Sequence, residues 1–215
     1  MPEFKYTEKQ RKEFLSSMVV LIDSREQRNE HICETLAAKG IKFQSRKLDF
    51  GDYSAMIPKN ESLSIPRDLY FTNDIYIERK ASLDELANNF KGKSNHYEKA
   101  GPALKKVLQT FGEDAVLVES KNERQRLENE FIRADAHGAR GFLMVESGSF
   151  DDMMGGKYES EYNANAFSAT FFTFMQRYTL NCNFVSKEKA GRYIANTLYY
   201  YLKEILNNGF TGIHG

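Results

Sequence analysis

The chain has 215 residues, 41% of them hydrophobic, which suits a single α/β domain with a sizeable core and excludes a disordered chain. Thirty basic residues balance thirty acidic ones at a formal net charge of zero, which disfavours a nonspecific nucleic-acid coat and confines any phosphate-binding surface to a local patch. Cys33 and Cys182 stand far apart in no ligand spacing, the opening residues Met1 to Tyr6 are polar, and no apolar run approaches membrane-spanning length. Neither a disulfide scaffold, a structural zinc site, a secretory leader nor a membrane span is expected, and the expected location is inside a cell.

Thr7 with Gln10 is a capping-box pair that starts a short N-terminal helix over 7–17. Met18 to Ile22 is a continuous apolar, β-branched run, the pattern of a strand buried on both faces, and it ends in the polar Asp23-Ser24-Arg25-Glu26. Asn29 to Lys39 reads as a helix with Ile32, Leu36 and Ala37 inward and Gly40 as its stop. Ile41 to Leu48 alternates like a half-exposed strand, and Gly51-Asp52 turns the chain. Tyr53 to Ile57 and Ile75 to Lys80 read as paired strands, joined by a long loop holding Pro58, Asn60, Pro66 and Asn73.

Ser82 is placed to cap a helix whose buried stripe is Leu83, Leu86, Ala87 and Phe90, with Asp84 and Glu85 in its first turn. The lysine-rich stretch from Lys91 to Lys121 is expected to be at least partly helical and locally basic, a solvated face or a DNA patch, with Tyr97 able to stack on a base or to pack. Asn122 to His137 continues as a charged helix closed by Gly138, and Phe142 to Val145 is a buried strand. Asn163 to Thr179, rich in Phe, is a core helix, Cys182 to Val185 a short strand, and Lys187 to Leu206 an amphipathic helix turning Ile194, Leu198, Tyr201, Leu202 and Ile205 inward. Strands alternating with helices after the early hairpin predict a mixed central sheet flanked by helices on both faces, a restriction-endonuclease-like α/β architecture in one domain over 1–215.

The chemistry-bearing residues gather at strand ends. In an extended strand alternate side chains share a face, so Glu78 and Lys80 point one way and Ile77 and Arg79 the other. Pairing of the two hairpin strands would bring Asp52 beside them. Two carboxylates with a lysine suit metal-assisted phosphodiester hydrolysis: Asp52 and Glu78 as ligands of Mg²⁺ or Mn²⁺, and Lys80 to hold the attacking water, its pKa open to depression by a nearby cation. Asp23 and Glu26 are candidates for a second ligand set or an outer shell, with Arg25 positioned to meet phosphate. A Glu-x-Lys pair is more often a surface ion pair, and Asp84 serves equally well as a partner of the helix dipole; it is the company of Gly51-Asp52 and the Asp23 strand that favours a site. His31, His96, His137 and His214 show no ligand spacing.

Gly51-Asp52, a spacer, Glu78-Arg79-Lys80, three residues and Asp84 resemble the signature of the XPF-type structure-specific endonuclease domain, and Ile22-Asp23-Ser24-Arg25-Glu26-Gln27 resembles its first-strand motif. The likeness is close over about the first 85 residues and looser beyond, where Glu130 to Ala134, Phe142 to Val145 and Tyr199 to Leu202 are similar to small phage-borne members. It implies a metal-dependent DNA endonuclease for branched, flapped or junction DNA in repair, recombination or phage replication. The location would then be bacterial cytoplasm if the gene is phage or prophage borne. By the resemblance Asp52, Glu78 and Lys80 form the metal-and-water core, Arg79 contributes backbone and packing, and Asp23, Arg25, Glu26 and Asp84 support the site. Arg25, Lys91, Lys93, Arg126 and Arg133 are the candidates for contacting DNA.

Two departures stand out. About thirty residues over 91–121 intervene as an insertion before the helix that begins near Glu123, and 215 residues leave no room for the helicase-like or tandem helix-hairpin-helix regions of larger relatives. A homodimer stays open. Two alternatives also remain: a DNA-binding partner of another nuclease that does not itself cut, and a metal-dependent hydrolase of a small phosphorylated substrate. Against the latter stand the absence of a phosphate-cradling glycine loop and the presence of Arg25, Arg124, Arg126, Arg133 and Arg140.

Overall fold

A computed structural model of the chain describes residues 6–91 and 123–207. Its centre is a mixed sheet in which β3 (Tyr53–Ile57) has partners on both sides, because the chain reverses at Asp52 and again before β5 (Ile75–Lys80). β1 (Val19–Asp23) runs antiparallel to β3 and parallel to β2 (Lys42–Arg46), which forms one edge. On the other side β3 meets β5 antiparallel at Tyr53 and Ile77, and β5, β6 (Arg140–Glu146) and β7 (Asn181–Val185) follow in parallel. The short β4 (Leu69–Tyr70) pairs only with the far end of β3, and a 3₁₀ turn at Glu61–Leu63 occupies part of what reads in sequence as a plain loop.

Helices cover both faces. α1 (Glu8–Ser16), α2 (Glu30–Ala38) and the long C-terminal α7 (Lys187–Asn207) pack on one face, where Val20, Ile22, Tyr53, Ala55, Ile57, Ile75, Ile77 and Met144 meet Ile32, Leu36, Ile194, Leu198 and Leu202. On the opposite face α3 (Leu83–Lys91), α4 (Glu123–Ala136) and α6 (Ala164–Arg177) enclose Phe50, Tyr76, Leu143 and Val145 among Phe90, Phe131, Phe167, Phe171 and Phe174. A short helix, α5 (Phe150–Met154), follows β6 and had no signal in the periodicity. The expected mixed sheet with helices on both faces is therefore present.

Local expectations fare unevenly. The Thr7–Gln10 capping box is formed in both directions at the start of α1, and Gly40 and Gly138 take the left-handed backbone that ends α2 and α4. The continuous apolar run of β1 is buried at all five positions, as a strand covered on both faces requires. β2 differs from its expectation of alternate burial. All five of its residues are exposed, at the edge of the sheet where it pairs with β1 alone; only Leu48, beyond its end, is buried. The stretch over 91–121 expected to be an insertion, with its lysines and Tyr97, lies outside the described residues except for Lys91.

Leu198, fully buried on α7 against the sheet, carries a large share of the packing on that face. Leu198→Ala is expected to cost about 2–5 kcal/mol, read as a lowered urea midpoint with an unchanged slope.

Candidate active site

Sequence order and the pleat together assemble the site. In β5, Ile75 and Ile77 point toward the α2/α7 face and Tyr76 toward the α3/α4 face, so Arg79 continues the first series and Glu78 and Lys80 the second. Asp52 precedes Tyr53 and so turns to the Glu78 side. Its position is locked from both directions: its own N–H donates to the Ile77 carbonyl at 2.9 Å, and its Oδ2 accepts the Arg79 N–H at 2.7 Å. Gly51 permits the turn, with φ at +69° and Tyr76 Cβ only 2.8 Å from where a side chain would begin.

These elements close a cleft of about 190 Å³ lined by Asp23, Arg25, Glu26, Asp52, Glu78, Arg79, Lys80, Glu85, Arg126 and Glu130. Six of those ten side chains are carboxylates and four are cations, so the cleft carries surplus negative charge. Lys80 Nζ donates to Glu78 Oε1 at 2.7 Å and lies 3.9 Å from Glu85, both ends of the main pair being buried. Glu78 Oε2 is buried with no hydrogen-bond partner. Burial, with Glu78 and Glu26 nearby, holds the Asp52 carboxyl well above the usual range, and burial with Glu78 raises Glu130 in the same direction. Burial alone would lower the Lys80 ammonium, yet Glu78, Asp52 and Glu85 outweigh it and hold the group above its ordinary value. The surrounding carboxylates are the reason.

The opposite side of β5 carries a support that sequence reasoning missed. Arg79 donates from Nε and Nη2 to the two oxygens of Glu146, at 2.9 and 3.0 Å, and from Nη1 to Glu26 at 2.7 Å. His31 Nε2 from α2 lies 3.0 Å from Glu146 Oε1, and the Tyr53 hydroxyl donates to Glu26. Arg79 thus does more than pack: its side chain braces β1, β5, β6 and α2 while its backbone holds Asp52. Glu146 ends β6 on the same pleat face as Met144; a polar residue closing a buried strand was the only signal for it. Glu130 and Glu85 were also missed. Glu130 reaches across from α4 to accept the Gly51 N–H at 2.6 Å, and Glu85 Oε2 accepts the Ala81 N–H.

Other expected residues sort by position. Asp23 accepts from the Arg25 N–H, from the Arg25 guanidinium through both oxygens and from the Leu48 N–H at 2.6 Å, which makes it the anchor of Arg25 and of the loop after β2. Asp84 lies elsewhere: its Oδ1 accepts the backbone N–H groups of Glu159 and Ser160, at 2.6 and 2.8 Å, outside the cleft lining. The first turn of α3 faces the loop before α6, and it is Glu85, one residue on, that turns to Lys80. Arg126 lines the cleft and pairs with Glu123, while Lys91 pairs with Glu161 and Lys93 lies outside the described residues. The remaining arginines diverge: Arg133 donates to the Asp49 carbonyl, Arg124 pairs with Glu128, and Arg140 lies over the Tyr201 ring.

Among the described residues, no three His, Cys, Asp or Glu side chains form a ready-made metal cluster. A hard divalent cation that keeps several waters needs only one or two carboxylates. The orphaned, buried Glu78 Oε2 and the surplus negative charge beside Asp52 fit such an ion, with Asp52 and Glu78 as the residues to hold it.

A mixed sheet with this order, helices on both faces and an acidic-plus-lysine cleft beside the central strands define a restriction-endonuclease-like nuclease fold. Residues 22–197 match the ERCC4 domain family, and the chain belongs to it, the family of XPF-type nuclease domains. The chain is similar to the solved XPF from Aeropyrum pernix at 16% identity and a TM-score of 0.49, over 88% of this chain and 68% of that one. The same protein in complex with DNA gives 16% identity and a TM-score of 0.50, over 86% of this chain and 65% of that one. The chain thus spans about two-thirds of those proteins' resolved length, 68% and 65%. No curated protein matches the chain.

Folded, the Glu146 carboxyl sits below its ordinary value: burial opposes this, but the bonds from Arg79 and His31 prevail. A group that releases its proton more readily when folded stabilises the fold at neutral pH, and that contribution is lost as pH falls from the ordinary value of 4.5 toward the folded one. Glu146→Gln is expected to cost about 3–5 kcal/mol at neutral pH by leaving Arg79 short of a partner. Urea titrations at a series of acidic pH values should show a flatter loss of stability in the variant than in the wild type.

Proposed function

We propose that the chain is a divalent-metal-dependent endodeoxyribonuclease, hydrolysing phosphodiester bonds in branched, flapped or junction DNA during repair, recombination or phage replication. The observation that carries this reading is Glu78 Oε2, a buried carboxylate oxygen with no partner, beside Asp52 and Lys80 in a cleft of surplus negative charge. Leaving such an atom unpaired is costly unless a cation or water meets it. Mg²⁺ or Mn²⁺ suits all-oxygen donors, and Asp52 and Glu78 are its proposed holders. DNA as substrate is supported by family membership; the DNA in the second solved structure is the ligand of that protein.

When bound, the cation supplies charge neutralisation at the phosphoryl oxygens and a more acidic water. The chain's own residues do the rest. The Gly51 turn and the Arg79 N–H keep the Asp52 carboxylate at the Glu78 side. Lys80 Nζ, buried and fixed by Glu78, presents its remaining protons to the attacking water and to the negative charge that grows on phosphate. Arg25, its guanidinium held by Asp23 yet largely exposed, meets the phosphate from the open side, with Arg126 as a further cation lining the cleft.

Purified protein with labelled flap, fork, junction and linear substrates is expected to cut the branched forms with Mg²⁺ or Mn²⁺ and not with EDTA, leaving 5′-phosphate and 3′-hydroxyl ends. Glu78→Gln should lower the rate at least about 100-fold, more than the loss of an outer partner costs. Wild-type binding without cutting would instead support the non-cleaving partner.

Metal binding has its own readout. Saturating Mn²⁺, at about 100 times its dissociation constant, should stabilise the wild type by about 2.7 kcal/mol in a thermal-shift assay, and Glu78→Gln should lose most of that gain.

A further inference from the structure

Beside the cleft lies a second concavity of about 460 Å³, between the loop that follows β2 and the C-terminal end of α4. Arg25 lines both, so the two adjoin at that side chain. Their charge is opposite. Where the cleft has more carboxylates than cations, this groove sets Arg25, Lys47 and Arg133 against the single carboxylate of Asp49. Its floor is apolar: Leu48 and Phe50 are buried, and the His137 ring stands 5.8 Å from that of Phe50.

The groove is also held to the proposed active site by hydrogen bonds. The Leu48 N–H donates to Asp23 Oδ2, Arg25 Nη2 donates to the Leu48 carbonyl at 2.9 Å, and Arg133 Nη2 reaches from α4 to the Asp49 carbonyl at 3.2 Å. Both walls are thereby fixed relative to Asp23 at the end of β1, so a ligand in the groove has a defined position relative to the cleft.

We propose that this groove receives one unpaired nucleotide of the DNA strand next to the scissile phosphate, with its phosphate on Lys47, Arg133 and Arg25 and its sugar and base against the Leu48–Phe50 floor. The proposal rests on the nuclease reading above and names the substrate feature that reading leaves open. The volume falls in the roughly 300–1,000 Å³ range of pockets that enclose one small molecule, which fits a single nucleotide and not a duplex. Cations over an apolar floor are the combination that tracks single strands, with phosphate providing the attraction and the floor the contact for sugar and base. The path then runs from a negative, cation-seeking cleft to a positive, phosphate-seeking groove one step along the same strand.

Lys47 and Arg133 are exposed, so their replacement leaves the core intact. Arg133→Gln keeps an amide donor for the Asp49 carbonyl while removing the charge. The test is fluorescence anisotropy of the full chain, without divalent metal so that nothing is cut, on a duplex with a single-stranded arm and on a fully paired duplex of equal length, across a salt series.

The Lys47→Ala/Arg133→Gln double variant should bind the armed substrate about tenfold more weakly, and its salt slope should shrink by about 0.7 for each cation removed. The paired duplex should lose much less. Lys189→Ala, at the start of α7 and outside both concavities, serves as the charge control. The proposal is overturned if the double variant matches the control, if both DNAs weaken equally, or if the wild type binds neither. Since no cleavage is involved, a wild type that binds in this manner yet fails to cut would overturn the nuclease reading and leave the groove standing.

Discussion

The pleat of β5 is the constraint on which the rest depends. All six of its residues, Ile75 to Lys80, are buried, so each side chain must find a partner on whichever face the alternation sends it to. Ile75 and Ile77 go to the α2/α7 core and Arg79 follows them; Tyr76 goes to the α3/α4 core and Glu78 and Lys80 follow it. Three consecutive charged residues at the end of a buried strand are tolerable only because both faces provide counter-charges. A shift of register by one residue would exchange the faces and strand every one of them.

The two faces divide the work. On one, Arg79 is paired by Glu146 and Glu26 into a brace that joins β1, β5 and β6 to α2 through His31. On the other, carboxylates outnumber cations: burial first and the neighbouring Glu78 second hold Asp52 and Glu130 above their ordinary values, and an oxygen of Glu78 is left without a donor. On the braced face both carboxylates bond to Arg79, whereas on the cleft face one oxygen of Glu78 has no partner. An incomplete site costs stability, and a fold keeps such a cost where a ligand relieves it. Arg79 connects the two, since its side chain belongs to the brace and its N–H holds Asp52 in the cleft.

Much of this was legible beforehand where the signal was local. The apolar run of β1, the Thr7 cap, the alternation of Glu78 and Lys80 and the Gly51-Asp52 turn each depend on residues within a few positions of one another, and each appears in the structure. Asp84 and β2 show what local reading leaves open. An acid in the first turn of α3 has several ways to be satisfied, and the loop at Glu159 and Ser160 took it; the alternation of β2 predicted a buried side, and its place at the edge of the sheet left all five residues exposed. The roles of Glu146, Glu130 and His31 could not be read locally, because their partners stand 67, 79 and 115 positions away.

By itself the sequence determined the class of fold, the family motifs and the face on which each residue of β5 would lie, because strand pleat and helix periodicity are short-range properties of the backbone. Only the tertiary structure decided which acids share the cleft, that Glu85 and not Asp84 turns toward Lys80, and that Arg79 is braced by Glu146. It also decided that a cationic groove adjoins an acidic cleft through Arg25. Those relations depend on how distant helices dock on a twisted sheet, and no short stretch of chain encodes the distance between two surfaces that meet only after folding.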